Sequence, residues 1–393
     1  MPALYLLDPP PTPAWEPFCT SRPRSELRAG AWLIRERWEA IADEPCRGID
    51  AAAHLHPFLE DGVPAIGSLD AVEGPAFVGF TTFAPAGVTP DTDTAQPARL
   101  VNDEATVGWW VPDGVTWRPD EGEDWDPVAI DGVVLHGAYD LLTALDLLLV
   151  ADVADFTSEG GDGLPDGALV IGDPTDVVVL GAAVEPGVTF DVRGGAIVVE
   201  QYVRIKSGTR LEGPLYIGPG TEVLGGEIRW SAIGPRCKIR GEMANSVLLG
   251  YANKAHDGFL GHSCLGRWVN LGAGTITSNL KNTYGSITLD VDGLPIPTER
   301  QFLGSLIGDH AKTAIGTLFG TGSVVGAGAN VFGSTRPPRY VPAFAWGAGG
   351  DHTERVRRDG FLTTAERVLP RRQVEFTDEI RRMLETLYDH AAR

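Results

Sequence analysis

Between Gly250 and Asn282 the chain reads GYANKAHDGFLGHSCLGRWVNLGAGTITSNLKN. Two histidines, His256 and His262, and two lysines, Lys254 and Lys281, stand there among asparagines, glycines and aliphatics. A histidine titrates near pH 6.5, so at neutral pH it can take a proton from an attacking group. His256 and His262 are six residues apart, and a zinc site of three imidazoles would need His310 as its third ligand; the longer motif around them outweighs that reading, His262 reads as a coil residue, and no metal site is expected. Each residue also has a plainer reading. A histidine in a repeat can be a surface or corner residue, and inward asparagines can satisfy turn backbones, as Asn330 is read to do.

The surrounding sequence shows what must position these groups. Aliphatic residues recur six apart: Ile217 and Val223, Ile233 and Ile239, Leu265 and Leu271, Val325 and Val331. Glycine often follows, as at Ile233-Gly234 and Leu265-Gly266. A six-residue period fits neither a helix nor a hairpin meander. It predicts a parallel β-helix, in which each edge turns one aliphatic side chain inward and a small residue makes the corner. The break in register from Lys281 to Arg300 predicts a loop leaving the coil.

Texture divides the chain into an α/β layer over 1–155, a linker over 156–167, the β-helix over 168–335 and an extension over 336–393. Helices are predicted from about Ala31 to Ala42 and from about Tyr139 to Val150. Near the end, Ile380, Met383, Leu384, Leu387 and Tyr388 form one helical stripe that needs a partner surface.

The totals narrow the function classes. A net charge of −21 over 393 residues repels phosphate backbones, so neither nucleic acid nor an anionic membrane is an expected partner, and solubility is its plain meaning. A local basic cluster can still hold a small phosphorylated ligand. Cys19, Cys46, Cys237 and Cys264 form no C-x-x-C pair, so no zinc ribbon or redox motif is expected. The start, MPALYLLDPPPTP, has no basic, apolar leader pattern, and no run is long enough to span a membrane, so a soluble cytoplasmic protein with reduced thiols is expected.

With the coil in place, Lys254, His256, Leu260-Gly261 and the run Val269 to Asn279 resemble the acetyltransferase half of the GlmU-like family. That family joins a sugar-phosphate uridylyltransferase to a glucosamine-1-phosphate acetyltransferase. GYANKAHDGFLGHS, NLKNTYG and RPRSELRAGAWLIRERW are similar to an alternative bacterial branch of it. The resemblance implies a left-handed β-helix, a homotrimer, acetyl-CoA as cosubstrate and sugar phosphates as acceptors. It implies His256 as the base and Asn279 as its orienting partner. Asn270 and Phe259 would contact the sugar, and Lys254 and Lys281 the phosphate or hydroxyls. Ala273 and Ser305 would lie on the acetyl-CoA side. Phe259 and Leu280 stand where the family often has tyrosine, which leaves the acceptor open.

The resemblance implies a nucleotidyltransferase-like N-terminal domain using UTP and Mg²⁺. The glycine-rich phosphate loop of that family is absent. Arg22, Arg24 and Arg28 form a basic cluster that could grip a triphosphate, or equally a solvated turn before a helix. Asp103 and Glu104 are the candidate magnesium ligands. Three functions follow: a bifunctional enzyme, a single-activity N-acyltransferase with a degenerate N-terminal domain, or a non-catalytic trimeric scaffold.

Overall fold

The computed structural model describes residues 1–91, 95–348 and 354–391, and in it the aliphatic repeat winds into a left-handed parallel β-helix. One inward column runs Ile217, Ile233, Leu248, Leu265, Ile307, Val325 and Val341, each the register partner of the next. All seven are fully buried. The residues six further on, Val223, Ile239, Leu271 and Val331, are buried on the adjoining edge.

Leu265 pairs with Ile307 across the register break. The intervening chain leaves the coil and folds back as an antiparallel hairpin, Thr288–Val291 with Leu294–Pro297. This is the loop expected between Lys281 and Arg300.

The corners are not all glycine. Tyr251, Trp268 and His310 take left-handed backbone angles, with φ of 55°, 64° and 60°. Such angles cost a bulky residue roughly 1–2 kcal/mol. Stacking offsets that cost: the Tyr251 and Trp268 rings lie 4.4 Å apart, and Trp268 and His310 6.2 Å.

The N-terminal layer is a seven-stranded mixed sheet. At its centre the strand Ala3–Leu7 runs parallel to Cys46–Asp50 and Ala76–Phe80. Helix α1 spans Ile34–Ala42. Helix α2 starts at Asp140, close to the expected residue, and runs on to Glu159. Its Leu141, Leu145, Leu149 and Val153 are buried in a core shared with the outward-facing Val178, Val198, Tyr216 and Ala232 of the coil. That edge of the coil is therefore buried on both sides. This explains why it reads as continuous apolar runs such as Val177–Val179 and Ile197–Val199.

At the other end, α3 (Arg358–Val368) leads through the turn Leu369–Arg372 into α4 (Asp378–Ala391). The predicted stripe of α4 packs with Phe344 and Phe361. Leu59 N donates to Met383 Sδ at 3.2 Å, which ties α4 to the N-terminal layer as well. The four cysteines are buried and unpaired. Among the described residues no helix is long and apolar enough to cross a membrane.

Candidate functional site

A single number organises the site. Leu248 pairs with Leu265, so one turn of the coil here takes 17 residues, the spacing at which Asn253 also bonds Asn270. Residues that far apart stack. His256 therefore lies under Ala273, His262 under Asn279, and Lys254 under the inward Leu271.

His256 follows the short strand Asn253–Lys254 and is exposed at a corner. It lines a cleft of about 500 Å³ with Arg240, Asp257, Ala273 and Gly274. Arg240 Nε bonds Asp257 Oδ1 at 3.0 Å beside it. The cleft thus brings together the expected base and one residue expected on the cofactor side.

Lys254 does not open to that cleft. It stacks on Ile239 at an inward position and is 2% exposed. Its Nζ donates to the carbonyls of Arg240 and His256. Burial pushes its pKa down to about 8. It braces the two turns that form the cleft.

Asn279 does not share the cleft with His256. Its Nδ2 lies 2.8 Å from Nδ1 of His262. Burial first, and then the Arg300 charge, push the His262 pKa down to about 4, so the ring is neutral at physiological pH. With the Asn279 amide donating to Nδ1, the ring proton sits on Nε2. Phe302 stacks on the ring at 5.1 Å. Phe259 joins the group across Gly261, where a Cβ would come within 2.3 Å of the Phe259 ring and 2.9 Å of the Asn279 amide. Glycine is required there for Phe259, Asn279 and His262 to pack together. His262, set aside from sequence as a coil residue, is thus the imidazole that Asn279 contacts. The 17-residue coil step was the signal that could have found it.

The other expected site residues are dispersed. Asn270 Oδ1 accepts from Asn253 Nδ2 at 2.7 Å, on a different edge of the coil. Lys281 Nζ donates to Ser286 O at 2.6 Å in the excursion. Ser305 is fully buried, and its N–H donates to Ser263 Oγ at 2.9 Å. It belongs to an inward serine ladder through Ser231, Ser246 and Ser263.

In the N-terminal layer, Arg22 is 2% exposed, with Nε on Asp309 at 2.9 Å and Nη2 on Glu60 at 3.0 Å. Arg24 bonds Asp8 at 2.6 Å and is buried. Arg28 donates to Ala31 O and lies over the Tyr216 ring at 5.5 Å. A nucleotide could recruit Arg22 or Arg24 only by breaking these ion pairs. Asp103 and Glu104 lie on the tight turn between the strands Ala98–Asn102 and Ala105–Val111. Among the described residues no three histidine, cysteine, aspartate or glutamate side chains converge on a metal position.

No family model matches the chain. It is similar to a bifunctional sugar-1-phosphate nucleotidylyltransferase/acetyltransferase of Sulfurisphaera tokodaii, 33% identical over 150 residues, covering 35% of each chain. It is also similar to the bifunctional protein GlmU of Methanococcus vannielii, 32% identical over 122 residues, covering 29% of this chain and 27% of the relative. The bifunctional protein GlmU of Xylella fastidiosa is 32% identical over 156 residues, covering 34% and 30%. The chain spans about a third of the length of the curated relatives it matches. On this likeness and on its coil, the chain is similar to the GlmU-like proteins over about a third of its length.

Proposed function

We propose that the β-helix transfers an acetyl group from acetyl-CoA to the amine of a hexosamine 1-phosphate, with His256 as general base. The observation that carries this reading is the exposed His256 imidazole in a cleft of about 500 Å³ shared with Ala273. The amine attacks the thioester carbonyl and His256 takes the amine proton; as the C–S bond breaks, the imidazolium returns that proton to the sulfur and coenzyme A leaves as the thiol. The developing oxyanion needs a fixed donor. His262 is held neutral beside Asn279, but it lies outside the cleft that His256 lines, so it takes no part in this step. Assembly as a homotrimer in the cytoplasm belongs to the same reading.

Uridylyl transfer from UTP in the N-terminal layer is the second half of the family pattern. The buried ion pairs of Arg22 and Arg24 favour the single-activity alternative, in which this layer packs against the coil without turning over nucleotide. Among the described residues no three metal-binding side chains converge, so no step is assigned to magnesium.

The test is release of free thiol from acetyl-CoA against a panel of amino-sugar phosphates, with pyrophosphate release from UTP measured in parallel. Thiol release that His256→Ala abolishes, with the fold intact, is expected. Absence of thiol release with every acceptor, or unchanged turnover in the variant, overturns the reading.

A further inference from the structure

The cleft that His256 lines also holds a carboxylate. Asp257 follows the imidazole in the chain, lines the same cleft, and keeps its side chain 80% exposed. One oxygen, Oδ1, accepts from Arg240 Nε at 3.0 Å. A carboxylate has room for about four hydrogen bonds. Among the described residues, Oδ2 has no partner, and Asp257 is the one carboxylate in the lining.

The corner that carries Asp257 is fixed on both sides. The Asp257 carbonyl accepts from Gly274 N at 3.2 Å. A Cβ on Gly258 would come within 2.3 Å of Thr275 O, so only glycine fits after Asp257. Arg240 is held in turn, with Nη1 on the Leu224 carbonyl at 3.2 Å. The carboxylate is thus kept at the cleft wall beside His256. An exposed ion pair of this kind adds little to stability, so the fold gives no reason for an acid at this corner.

We propose that Asp257 selects the acceptor for its amine: it binds the ammonium form, and so makes the cleft discriminate an amino sugar from its hydroxyl counterpart. The inference rests on the acetyl-transfer reading of this cleft and deepens it. An amine flanked by electron-withdrawing groups titrates at about 8, as an α-amino group does, so at pH 7 it arrives mostly as ammonium. Ammonium brings three donors and a positive charge to the free oxygen. A hydroxyl in its place gives up the charge–charge attraction. The other titratable groups that face Asp257 are His256, Arg240 from the preceding turn, and the buried Lys254, whose charge Asp257 favours. Ala273 and Gly274, from the next turn, bring none. The ammonium releases its extra proton to water before it attacks, and His256 takes the next one as the amide forms.

Calorimetry on the full chain without acetyl-CoA tests the selection apart from turnover. Glucosamine 1-phosphate and glucose 1-phosphate are titrated into the parent, Asp257→Asn and Asp257→Glu. Asp257→Asn also frees Arg240, which strengthens both phosphates alike, so the ratio of the two affinities is the readout. The parent should prefer the amino sugar roughly tenfold. Asp257→Asn should erase that preference and Asp257→Glu keep most of it. In the parent the preference should narrow as the pH rises through the titration of the ligand's amine. No preference in the parent, a preference that survives Asp257→Asn, or no binding of either sugar overturns the inference. The two readings fail separately: an amine preference lost in Asp257→Asn, without thiol release from acetyl-CoA, sinks acetyl transfer and keeps Asp257 as the selector, and thiol release without the preference does the reverse.

Discussion

Asn279 Nδ2 meets His262 Nδ1 at 2.8 Å, one coil step apart, and this contact fixes both the tautomer and the orientation of a neutral imidazole. Its charge state follows from burial, with the pKa pushed down to about 4. Asn279→Asp places a carboxylate against the ring. That favours the imidazolium, so the His262 pKa rises by at least about one unit. Proton NMR titration of the ring measures it. A His262 titration unchanged by the substitution would show that the two side chains are not paired.

Lys254 offers a second check, because an inward lysine is unusual in an aliphatic column. Lys254→Ala leaves a cavity and strips the Arg240 and His256 carbonyls of their shared donor. The expected loss is about 2 kcal/mol or more. Lys254→Met fills the space without restoring the donor, so it costs less. Urea unfolding orders the two. If Ala and Met variants are equally stable and match the parent, the lysine faces solvent.

These two residues also show what was legible in the sequence. The repeat was readable because it is local: an inward aliphatic every six residues survives without knowledge of how coils stack. The pairing of chemical groups was not, because it depends on the coil length. A step of 17 residues puts Asn279 over His262, Asn270 over Asn253 and Ala273 over His256, and one hexapeptide period does not reveal that step. The same step marks Lys254 as inward, against its expected contact with a phosphate. The N-terminal arginines were harder still. Arg22 finds its partner Asp309 at a separation of 287 residues, through packing that no local pattern encodes.

That long-range pair forms a strap between the N-terminal layer and the coil. Asp309 also accepts from Arg267 N at 2.7 Å, and Arg267 reaches Glu60 at 3.1 Å. Removing one member leaves a buried charge without its partner, which costs roughly 3–5 kcal/mol. Arg22→Met should therefore destabilise strongly, while Arg22→Met with Asp309→Asn recovers part of the loss. A double-mutant cycle on unfolding free energies reads the coupling, and additive costs would exclude a strap.

His310 supplies the pH dependence. Burial first, and then the Lys312 charge, push its pKa down to about 3 from 6.5. The ring packs against Trp268 and Phe361, with Arg22 and Glu60 nearby. A histidine whose folded pKa lies below its unfolded value binds a proton more readily when the chain is unfolded. Its neutral form therefore supports the fold fully above pH 6.5, and that support is lost as the pH falls from 6.5 towards 3. At pH 5 the loss is about 2 kcal/mol for this residue. His310→Phe removes the titration and keeps the stack, since Phe344 takes the same left-handed corner with φ of 57°. Stabilities of parent and variant should lie close at pH 7.5, and the parent should fall behind as the pH drops to 5. Parallel stability curves over that range would mean that His310 charges freely in the folded protein.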